Sequence, residues 1–187
     1  MNIPFEDMDF EILHSGSNLS IFKCNEPDLY DFLTGDALSS QTKRLSVTRL
    51  AMYNDHVVGF FTLVNDCIEA KAIEESDGEP GYLYQKYPAI KIARLATHDD
   101  YRDRDVGTNM LLKILVITLR LSGYVGCRIM TVDSKPGAVG FYQKFGFEIA
   151  LRNYKDTVPM YKDYHSSLME EGSDLSQLSK FQPRIVF

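Results

Sequence analysis

The alternation of apolar and polar residues along the chain predicts an α+β domain. The β-rich runs 46–53 and 57–64 flank the turn cluster Asn54-Asp55-His56, which predicts a hairpin. Further apolar runs predict strands at 90–97, 127–133, 147–151 and 157–162. Because hairpins and strand–helix units both occur, the sequence predicts one mixed sheet.

Helical spacing of apolar residues marks three segments between these strands. Residues 19–45 predict one or two helices, and Val106–Ser122 predicts a long helix that Gly123 ends. Residues 136–145 predict a shorter helix, opened by Pro136 and followed by Gly146. Residues 66–88 are polar and rich in Gly and Pro, so they predict a long connection with one short helix at most.

The chain of 187 residues fits one domain, which we place at 1–165. Residues 166–187 predict a polar, loosely ordered C-terminal tail, whose apolar end Ile185-Val186-Phe187 is a candidate contact in a homodimer. No apolar run approaches the roughly 20 residues needed to cross a membrane. The N-terminus also lacks the cationic region of a signal peptide, so we expect no membrane association.

Composition narrows the functional classes. A hydrophobic content of 44% is typical of globular proteins. The net charge of −6 argues against sequence-independent nucleic-acid binding, unless cations cluster locally. Three widely separated cysteines, Cys24, Cys67 and Cys127, show no metal-ligand spacing and indicate a reducing, cytoplasmic compartment. We therefore expect a cytoplasmic protein with no metal site.

A charged turn between the strand at 90–97 and the long helix is the first candidate for chemistry. This turn includes Arg102, Asp103, Arg104 and Asp105, and the helix begins with Val106-Gly107-Thr108. A helix N-terminus presents unpaired backbone N–H groups that bind anions. The small residues Gly107 and Thr108 leave room for a bulky diphosphate.

A second candidate lies in the run Phe141-Tyr142-Gln143-Lys144-Phe145-Gly146-Phe147. Its three phenylalanines are typical of a core, and Gly146 is typical of a helix end. Tyr142 lies on a different helical face from Phe141, so core packing alone does not explain it.

Together, in this order, the two segments resemble the Gcn5-related N-acetyltransferase (GNAT) superfamily. Its phosphate-binding turn reads Arg/Gln-x-x-Gly-x-Gly/Ala, and its second signature, Phe-Tyr-x-x-x-Gly-Phe, matches 141–147. The resemblance covers about residues 8–165. It implies a mixed, mostly antiparallel sheet with helices on both faces, and acetyl-CoA as the co-substrate.

The resemblance also implies roles for individual residues. Pantetheine would pair with the strand, and the diphosphate would bind the turn. Tyr142 would donate a proton to the departing sulfur, and a backbone N–H freed by a splay or bulge in the strand would stabilise the thioester oxyanion. The implied cofactor-binding residues are Leu95, Ala96, Thr97, Arg102, Asp103, Arg104, Asp105, Val106, Gly107, Thr108 and Phe141.

The turn departs from the family pattern at Asp105, where a glycine is usual. Asp is among the residues that tolerate a positive φ. A carboxylate ~4 Å from a phosphate costs about 4 kcal/mol at an effective dielectric constant near 20. Because Arg102 and Arg104 offset this repulsion, we expect acetyl-CoA to bind, but more weakly.

The acceptor and the general base stay open at this stage. His98, the only histidine near the turn, is expected to be a solvated loop residue. An α-amine, with a pKa of roughly 7.7–8.0, needs no dedicated base, whereas a lysine amine at about 10.4 must first lose a proton. We expect a small amine or a protein N-terminus as the acceptor.

Two alternatives accompany that expectation. Segments 22–33, 57–63 and 87–96 resemble the GNAT toxins of toxin–antitoxin systems, which acetylate the α-amine of aminoacyl-tRNA. The other alternative is a non-catalytic domain that binds acyl-CoA or a partner protein. Binding of tRNA would require a patch of cations around the site. The candidates for that patch are Lys43, Arg44, Arg49, Lys91, Arg94, Arg102 and Arg104.

Overall fold

The computed structural model describes residues 1–152 and 155–164. Its seven strands form one sheet in the order β1-β2-β3-β4-β5-β7-β6. The strands are β1 Asp9–Ile12, β2 Val47–Tyr53, β3 His56–Glu69, β4 Lys86–Thr97, β5 Ile129–Ser134, β6 Glu148–Ile149 and β7 Val158–Asp163. Among these pairs, β4 and β5 run parallel and the others antiparallel. This confirms the α+β class with a mixed, mostly antiparallel sheet.

The helices occupy the regions that the sequence predicts, with changed limits. The first region forms α1 Pro27–Asp31, a π-helical stretch Phe32–Asp36 and α2 Ala37–Thr42, and later come α3 Val106–Ser122 and α4 Val139–Gln143. The limits of α3 are as predicted. Residues 19–26 are not helical, because Pro27 takes the first helical position, where its fixed φ favours a helix start.

Helices cover both faces of the sheet. Neighbouring residues of β3 point to opposite sides, as in any strand. Phe60 packs in a cluster with Leu33 and Ala37 of the α1–α2 layer. Phe61 packs with Met110 and Ile114 of α3. The arrangement confirms the expected helices on both faces.

The prediction of a connection at 66–88 was wrong at both ends. Strand β3 continues to Glu69 and pairs with β4 as far as Lys86, so the connection is only 70–85. Polar side chains are compatible with these strand ends because many of them are exposed, and the carboxylate of Asp66 accepts a hydrogen bond from Thr131 Oγ1 at 2.6 Å. A short strand β1, which sequence reasoning missed, adds one edge of the sheet.

The predicted C-terminal tail, with its candidate dimer contact, lies outside the described residues. No helix in the described part of the chain is both long and apolar enough to span a membrane.

Candidate active site

The pairing of β4 changes along its length. Its first part pairs with β3 on one side and, from Ala89 to Ile92, with β5 on the other. Beyond Ile92 the pairing with β5 ends, while pairing with β3 continues to Thr97. Within residues 1–152 and 155–164, no strand therefore lies beside the second edge of residues 93–97. Backbone amides and carbonyls on such an edge can pair with an extended ligand.

A β-bulge lies at the point where the two strands part. Thr62 pairs with Arg94 and Leu63 with Ile92, so Ala93 is an extra residue in β4. Bulges re-aim the strand and leave a residue out of the ladder, and they are frequent near active sites. The structure thus has both the splay and the bulge that the sequence resemblance implies.

The separated strands open into a cleft of about 1030 Å³, which we call the β4–β5 cleft. Six of the residues predicted from the sequence line it, namely Leu95, Ala96, Thr97, Arg102, Phe141 and Tyr142. The cleft therefore brings together the exposed edge of β4, one arginine of the turn and two residues of α4.

Tyr142 contributes a phenol to the cleft wall. Its side chain is 6% exposed, and its ring lies 5.2 Å from that of Phe141 and 5.5 Å from that of Phe147. Burial raises the pKa of Tyr142 well above that of a free phenol. No hydrogen-bond partner for its hydroxyl is found among the described residues. The group is thus a protonated donor available to a ligand in the cleft.

The turn before α3 forms a cradle of backbone N–H groups. Asp103 and Asp105 have φ values of 56° and 62°, separated by Arg104, whose φ is negative. Alternation of this kind creates anion-binding concavities. The first hydrogen bond of α3 joins Asn109 N to Asp105 O at 2.9 Å, which leaves the N–H groups of residues 106–108 without helical partners.

Asp105 occupies the left-handed conformation that glycine usually supplies in the family that the sequence resembles. Its side chain is exposed, makes no capping hydrogen bond and is not among the residues lining the cleft. The structure therefore meets the backbone requirement without a glycine. Because solvent screens an exposed carboxylate, the repulsion between Asp105 and a bound phosphate is reduced.

Gly107 has a packing role that the sequence did not suggest. A Cβ at this position would lie 3.2 Å from two ring atoms of Phe141 and 3.8 Å from Thr97 Oγ1. The missing side chain lets α4 pack closely against the start of α3. Close packing of Phe141 in turn shapes the cleft wall.

The two arginines of the turn diverge. Arg102 lines the β4–β5 cleft, and its Nη2 lies 2.7 Å from Oδ1 of Asp99. Arg104 lies over the Tyr101 ring, 5.3 Å from its centroid, and lines a different pocket with His98. A role for Arg104 in cofactor binding stays a prediction.

The expectation that His98 is solvated was wrong. Its side chain is 4% exposed and packs edge-on against Phe22, with ring centroids 5.6 Å apart. Nε2 donates to Ile21 O at 2.9 Å, and Nδ1 accepts from Asp100 N at 3.1 Å. His98 is thus a structural link between the N-terminal segment and the turn.

The predicted patch of cations does not surround the cleft. Lys91, Arg94 and Arg102 do line it, but Arg44 and Arg49 line a separate groove beside α3, which we call the α3 groove. Both belong to the segment that leads into and along β2, and residues of the α3 face line that groove with them. The sequence alone could not show that Arg44 and Arg49 lie away from the cleft, because their location depends on the order of the strands in the sheet.

Sequence reasoning missed a set of ion pairs in the cleft. Lys135 Nζ lies 2.6 Å from Glu26 Oε2 and 2.7 Å from Asp28 Oδ1, which links the β5–α4 connection to the start of α1. These hydrogen bonds lower the pKa of Asp28 and raise that of Lys135. Lys135 and the two acids are 109 and 107 residues apart in sequence, so spacing gave no signal.

A second set of ion pairs in the cleft joins β4 to β5. Lys91 of β4 forms an ion pair with Asp133 of β5, and Arg152 Nη2 approaches the other carboxylate oxygen at 2.8 Å. Among the described cleft-lining residues, every carboxylate is therefore held by a cation. No group of His, Cys, Asp and Glu suited to a metal ion occurs in the described ranges.

Comparisons with known proteins agree with this geometry. Residues 47–149 match the family model described as "Acetyltransferase (GNAT) domain". No curated protein sequence matches the chain.

Three solved structures illustrate the structural likeness. AtaT complexed with acetyl-methionyl-tRNAfMet has a TM-score of 0.79 at 20% identity, over 88% of this chain and 99% of that chain. A mutant of KacT has a TM-score of 0.76 at 19% identity, over 87% and 99%. A mutant AtaT toxin bound to the C-terminus of the antitoxin AtaR and acetyl-CoA has a TM-score of 0.71 at 19% identity, over 89% and 99%.

At such identities these structures establish a shared fold. The family match spans more than half of the chain and coincides with β2 to β6, which include most of the cleft lining, the turn and α4. The chain belongs to the GNAT family of acetyl-CoA-dependent acetyltransferases.

Proposed function

We propose that this acetyltransferase transfers the acetyl group of acetyl-CoA to the α-amine of an aminoacyl-tRNA. The observation that carries the acetyl-transfer step is the β4–β5 cleft, where the free edge of β4 and the Tyr142 hydroxyl meet. The acceptor is inferred from the likeness to AtaT, whose structure holds acetyl-methionyl-tRNAfMet.

The cleft and the turn before α3 fit acetyl-CoA in three respects. The free edge at residues 93–97 suits the amide groups of pantetheine, which would add to the sheet as an extra strand. The unpaired N–H groups of residues 106–108 suit a diphosphate. Arg102, in the same turn, lines the cleft and supplies a cation. When bound, acetyl-CoA supplies the thioester whose acetyl group is transferred.

Tyr142 would act at the departing sulfur. Its raised pKa keeps the phenol protonated, so its Oη would donate a hydrogen bond to the developing thiolate. As the C–N bond forms and the C–S bond breaks, that proton would pass to sulfur while the phenol regains one from the attacking nitrogen, directly or through water, so the phenol is not left ionised. A backbone N–H released at the Ala93 bulge would stabilise negative charge on the carbonyl oxygen. Leu95, Ala96 and Thr97 would orient the thioester for direct attack by the acceptor amine.

The pairing of the cleft carboxylates favours an α-amine as the acceptor. Glu26 and Asp28 are bound by Lys135, and Asp133 by Lys91 and Arg152. No histidine lines the cleft among the described residues. A lysine acceptor with a pKa near 10.4 would find no free base here, whereas an α-amine is already partly neutral at neutral pH.

A protein N-terminus is the second candidate acceptor. It also offers an α-amine, and the net charge of −6 favours a partner less anionic than RNA. Against it, four cations line the cleft beside three carboxylates, so the cleft is more positive than the molecule as a whole.

A competition assay distinguishes the two acceptors. Purified protein is incubated with acetyl-CoA and with a charged tRNA, an unblocked peptide and a lysine-containing peptide blocked at its N-terminus. The proposal predicts acetylation of the charged tRNA in preference to both peptides, with Tyr142→Phe as the inactive control. Preferential acetylation of the unblocked peptide would assign the second candidate, and preference for the blocked lysine peptide would contradict both.

A further inference from the structure

A second cavity adjoins the β4–β5 cleft, where β3 ends and β4 begins. It has a volume of about 550 Å³, and its described lining contains three cations and one carboxylate. The cations are Lys71, Lys86 and Arg152, and the carboxylate is that of Glu69. We call the three cations the cation track. Their surplus of positive charge contrasts with the net charge of −6 of the whole chain.

The cation track is continuous with one end of the cleft. Asp133, which lines the cleft, is shared by Lys91 of the cleft and Arg152 of the track. Arg152 Nη2 lies 2.8 Å from Asp133 Oδ1, so its guanidinium lies at the boundary between the two cavities. Lys86 precedes Lys91 by five residues in β4, which is ~17 Å along an extended strand. A polyanion that reaches the cleft at Lys91 therefore meets further cations outside it.

The track adjoins the end of the cleft opposite the proposed diphosphate site. The residues of β4 that line the cleft run from Lys91 to Thr97, and the turn before α3 follows Thr97. Lys91 is therefore ~20 Å along the strand from the side of the turn. With the cofactor at the turn, an acceptor that avoids it would enter from the Lys91 end, where the track begins.

The cations of the track are only weakly engaged within the protein. Lys86 forms no ion pair with a carboxylate of the described residues. Lys71 Nζ lies 3.1 Å from Glu69 Oε2, but the two side chains are 84% and 52% exposed. Exposed pairs of this kind contribute little to stability, so a phosphate can replace the carboxylate. Arg152 is half exposed, and its guanidinium has donors besides the one on Asp133.

The lining of this cavity favours a chain of phosphates over an acidic peptide. Its aliphatic residues Ile68 and Ala72 are buried, which leaves Leu151 as the exposed aliphatic side chain of the described lining. An acidic peptide would therefore have little apolar surface to cover there. Phosphates require only spaced cations and hydrogen-bond donors, which dominate the affinity of proteins for nucleic acids.

The length of the track also fits the acceptor proposed above. In an aminoacyl-tRNA the reacting amine is attached to the last nucleotide, so the phosphates of the preceding nucleotides must lie just outside the cleft. The phosphates of one strand are spaced ~3.4 Å along a nucleic-acid helix, so the ~17 Å between Lys86 and Lys91 covers several of them. A protein N-terminus carries no phosphates for these cations to bind.

We propose that Lys71, Lys86 and Arg152 bind phosphates at the acceptor end of the tRNA and guide its last nucleotide into the cleft past Lys91. This inference rests on the proposed function and specifies the surface that the RNA contacts. Because phosphate contacts carry no sequence information, the track strengthens the binding of any charged tRNA and does not select among them.

Steady-state kinetics with a long and a short acceptor test the track. The Lys71→Gln/Lys86→Gln variant is assayed with charged tRNA and with 3′-aminoacyl adenosine, which carries the same amino acid but no phosphate. We expect KM for charged tRNA to rise about tenfold at low salt, and KM for the adenosine to change less than about twofold. The slope of log KM against log salt should fall by about 1.4–1.8, since each lost phosphate contact removes roughly 0.7–0.9.

A control variant matched in charge accompanies these assays. Lys43→Gln/Lys144→Gln removes two exposed lysines that are outside the described lining of both cavities. Its KM for charged tRNA and its salt slope should stay close to those of the unchanged protein, because neither lysine belongs to the track.

Cys67 supplies an independent readout of contact. This exposed cysteine lines the same cavity, so charged tRNA at about four times its Kd should slow the alkylation of Cys67 by a maleimide about fivefold. Peptide mapping distinguishes Cys67 from the two other cysteines. Leu83→Cys in a Cys67→Ser background, at a residue 94% exposed and outside the described lining of the cavity, is the control and should react at the same rate with or without tRNA.

The outcomes separate this inference from the proposed function. Acetylation of charged tRNA with an unchanged KM in Lys71→Gln/Lys86→Gln, or full reactivity of Cys67 in the presence of bound tRNA, would overturn the track and leave the proposed acceptor in place. Absence of acetylation of both charged tRNA and the adenosine by the unchanged protein would overturn the proposed function, and this inference with it. Protection of Cys67 by an acidic peptide and not by tRNA would overturn the track and assign the cavity to a protein partner.

Discussion

The β4–β5 cleft and the α3 groove balance charge in opposite ways. In the cleft, Lys135 holds Glu26 and Asp28, and Lys91 holds Asp133, so each described acid has a cation. In the α3 groove, Arg44 and Arg49 are the charged residues of the described lining, and none of the described lining residues is a carboxylate. The acids of the cleft are therefore balanced by cations of the same cleft, whereas the arginines of the groove have no acid beside them in its described lining.

The same contrast shows where chemistry can arise. With its carboxylates engaged, the cleft offers a ligand the backbone groups on the free edge of β4 and one phenol. Such groups can pair with an amide chain and stabilise developing negative charge. The groove offers charge without an available nucleophile or acid, which suits binding.

The largest predicted effect comes from removing the phenol of the cleft. Tyr142→Phe should lower kcat about 100-fold or more, the typical contribution of a positioned proton donor. The Kd for acetyl-CoA should hardly change, since the ring stays in place. Tyr124→Phe, at a residue 88% exposed, is the matched control and should keep full activity. A Tyr142→Phe variant with normal kcat would remove the proposed acid.

Crowding the junction of α3 and α4 tests whether packing shapes the cleft. Gly107→Ala places a methyl 3.2 Å from the Phe141 ring, whereas Gly140→Ala meets no atom within 4 Å. Overpacking costs about 1–3 kcal/mol, so urea unfolding should show Gly107→Ala less stable than Gly140→Ala by that amount. Acetyl-CoA should also bind Gly107→Ala more weakly. Equal stabilities of the two variants would show that the Phe141 ring moves aside at no cost in free energy.

Breaking the charge balance of the cleft should alter acceptor binding. Lys135→Met leaves Glu26 and Asp28 without their cation, so they repel the phosphates of a tRNA. We expect KM for charged tRNA to rise roughly fivefold, about 1 kcal/mol, with kcat little changed. Lys144→Met, an exposed lysine at the end of α4, is the control. An unchanged KM at low salt would place the RNA elsewhere.

The smallest effect concerns the pH dependence of stability that Lys113 contributes. The lowered pKa of Lys113 means that the unfolded chain binds more protons than the folded one between that pKa and about 10.4, so stability rises with pH there. Arg49→Gln removes one cause of the lowering, and the rise should become shallower. Urea unfolding at a series of pH values measures both slopes. Identical slopes would show that Arg49 does not act on Lys113.

The sequence predicted what depends on local patterns. The limits of α3 and the run at 141–147 follow from apolar spacing and a family signature, and both are found in the structure. The cleft ion pairs depend on sheet order and strand register, which bring Lys135 to residues more than 100 positions away. His98 was misjudged for the same reason, because its partners Ile21 and Phe22 are distant in sequence.

Strand limits were also hard to predict when polar residues lay inside a strand. The end of β3 contains Asn65, Asp66 and Glu69, a composition typical of loops, yet these residues pair with β4. At Asp105, by contrast, an unusual residue was interpreted correctly from the sequence. A residue unusual for the family was expected to tolerate a positive φ, and its observed φ of 62° agrees.

Backbone hydrogen exchange with and without acetyl-CoA tests the central claim most directly. If the free edge of β4 and the start of α3 hold the cofactor, saturating acetyl-CoA should slow exchange in residues 93–97 and 106–108, with little change in the α3 groove at 44–49. Protection confined to other segments, or none at saturation, would contradict the assignment of the cleft as the site of acetyl transfer.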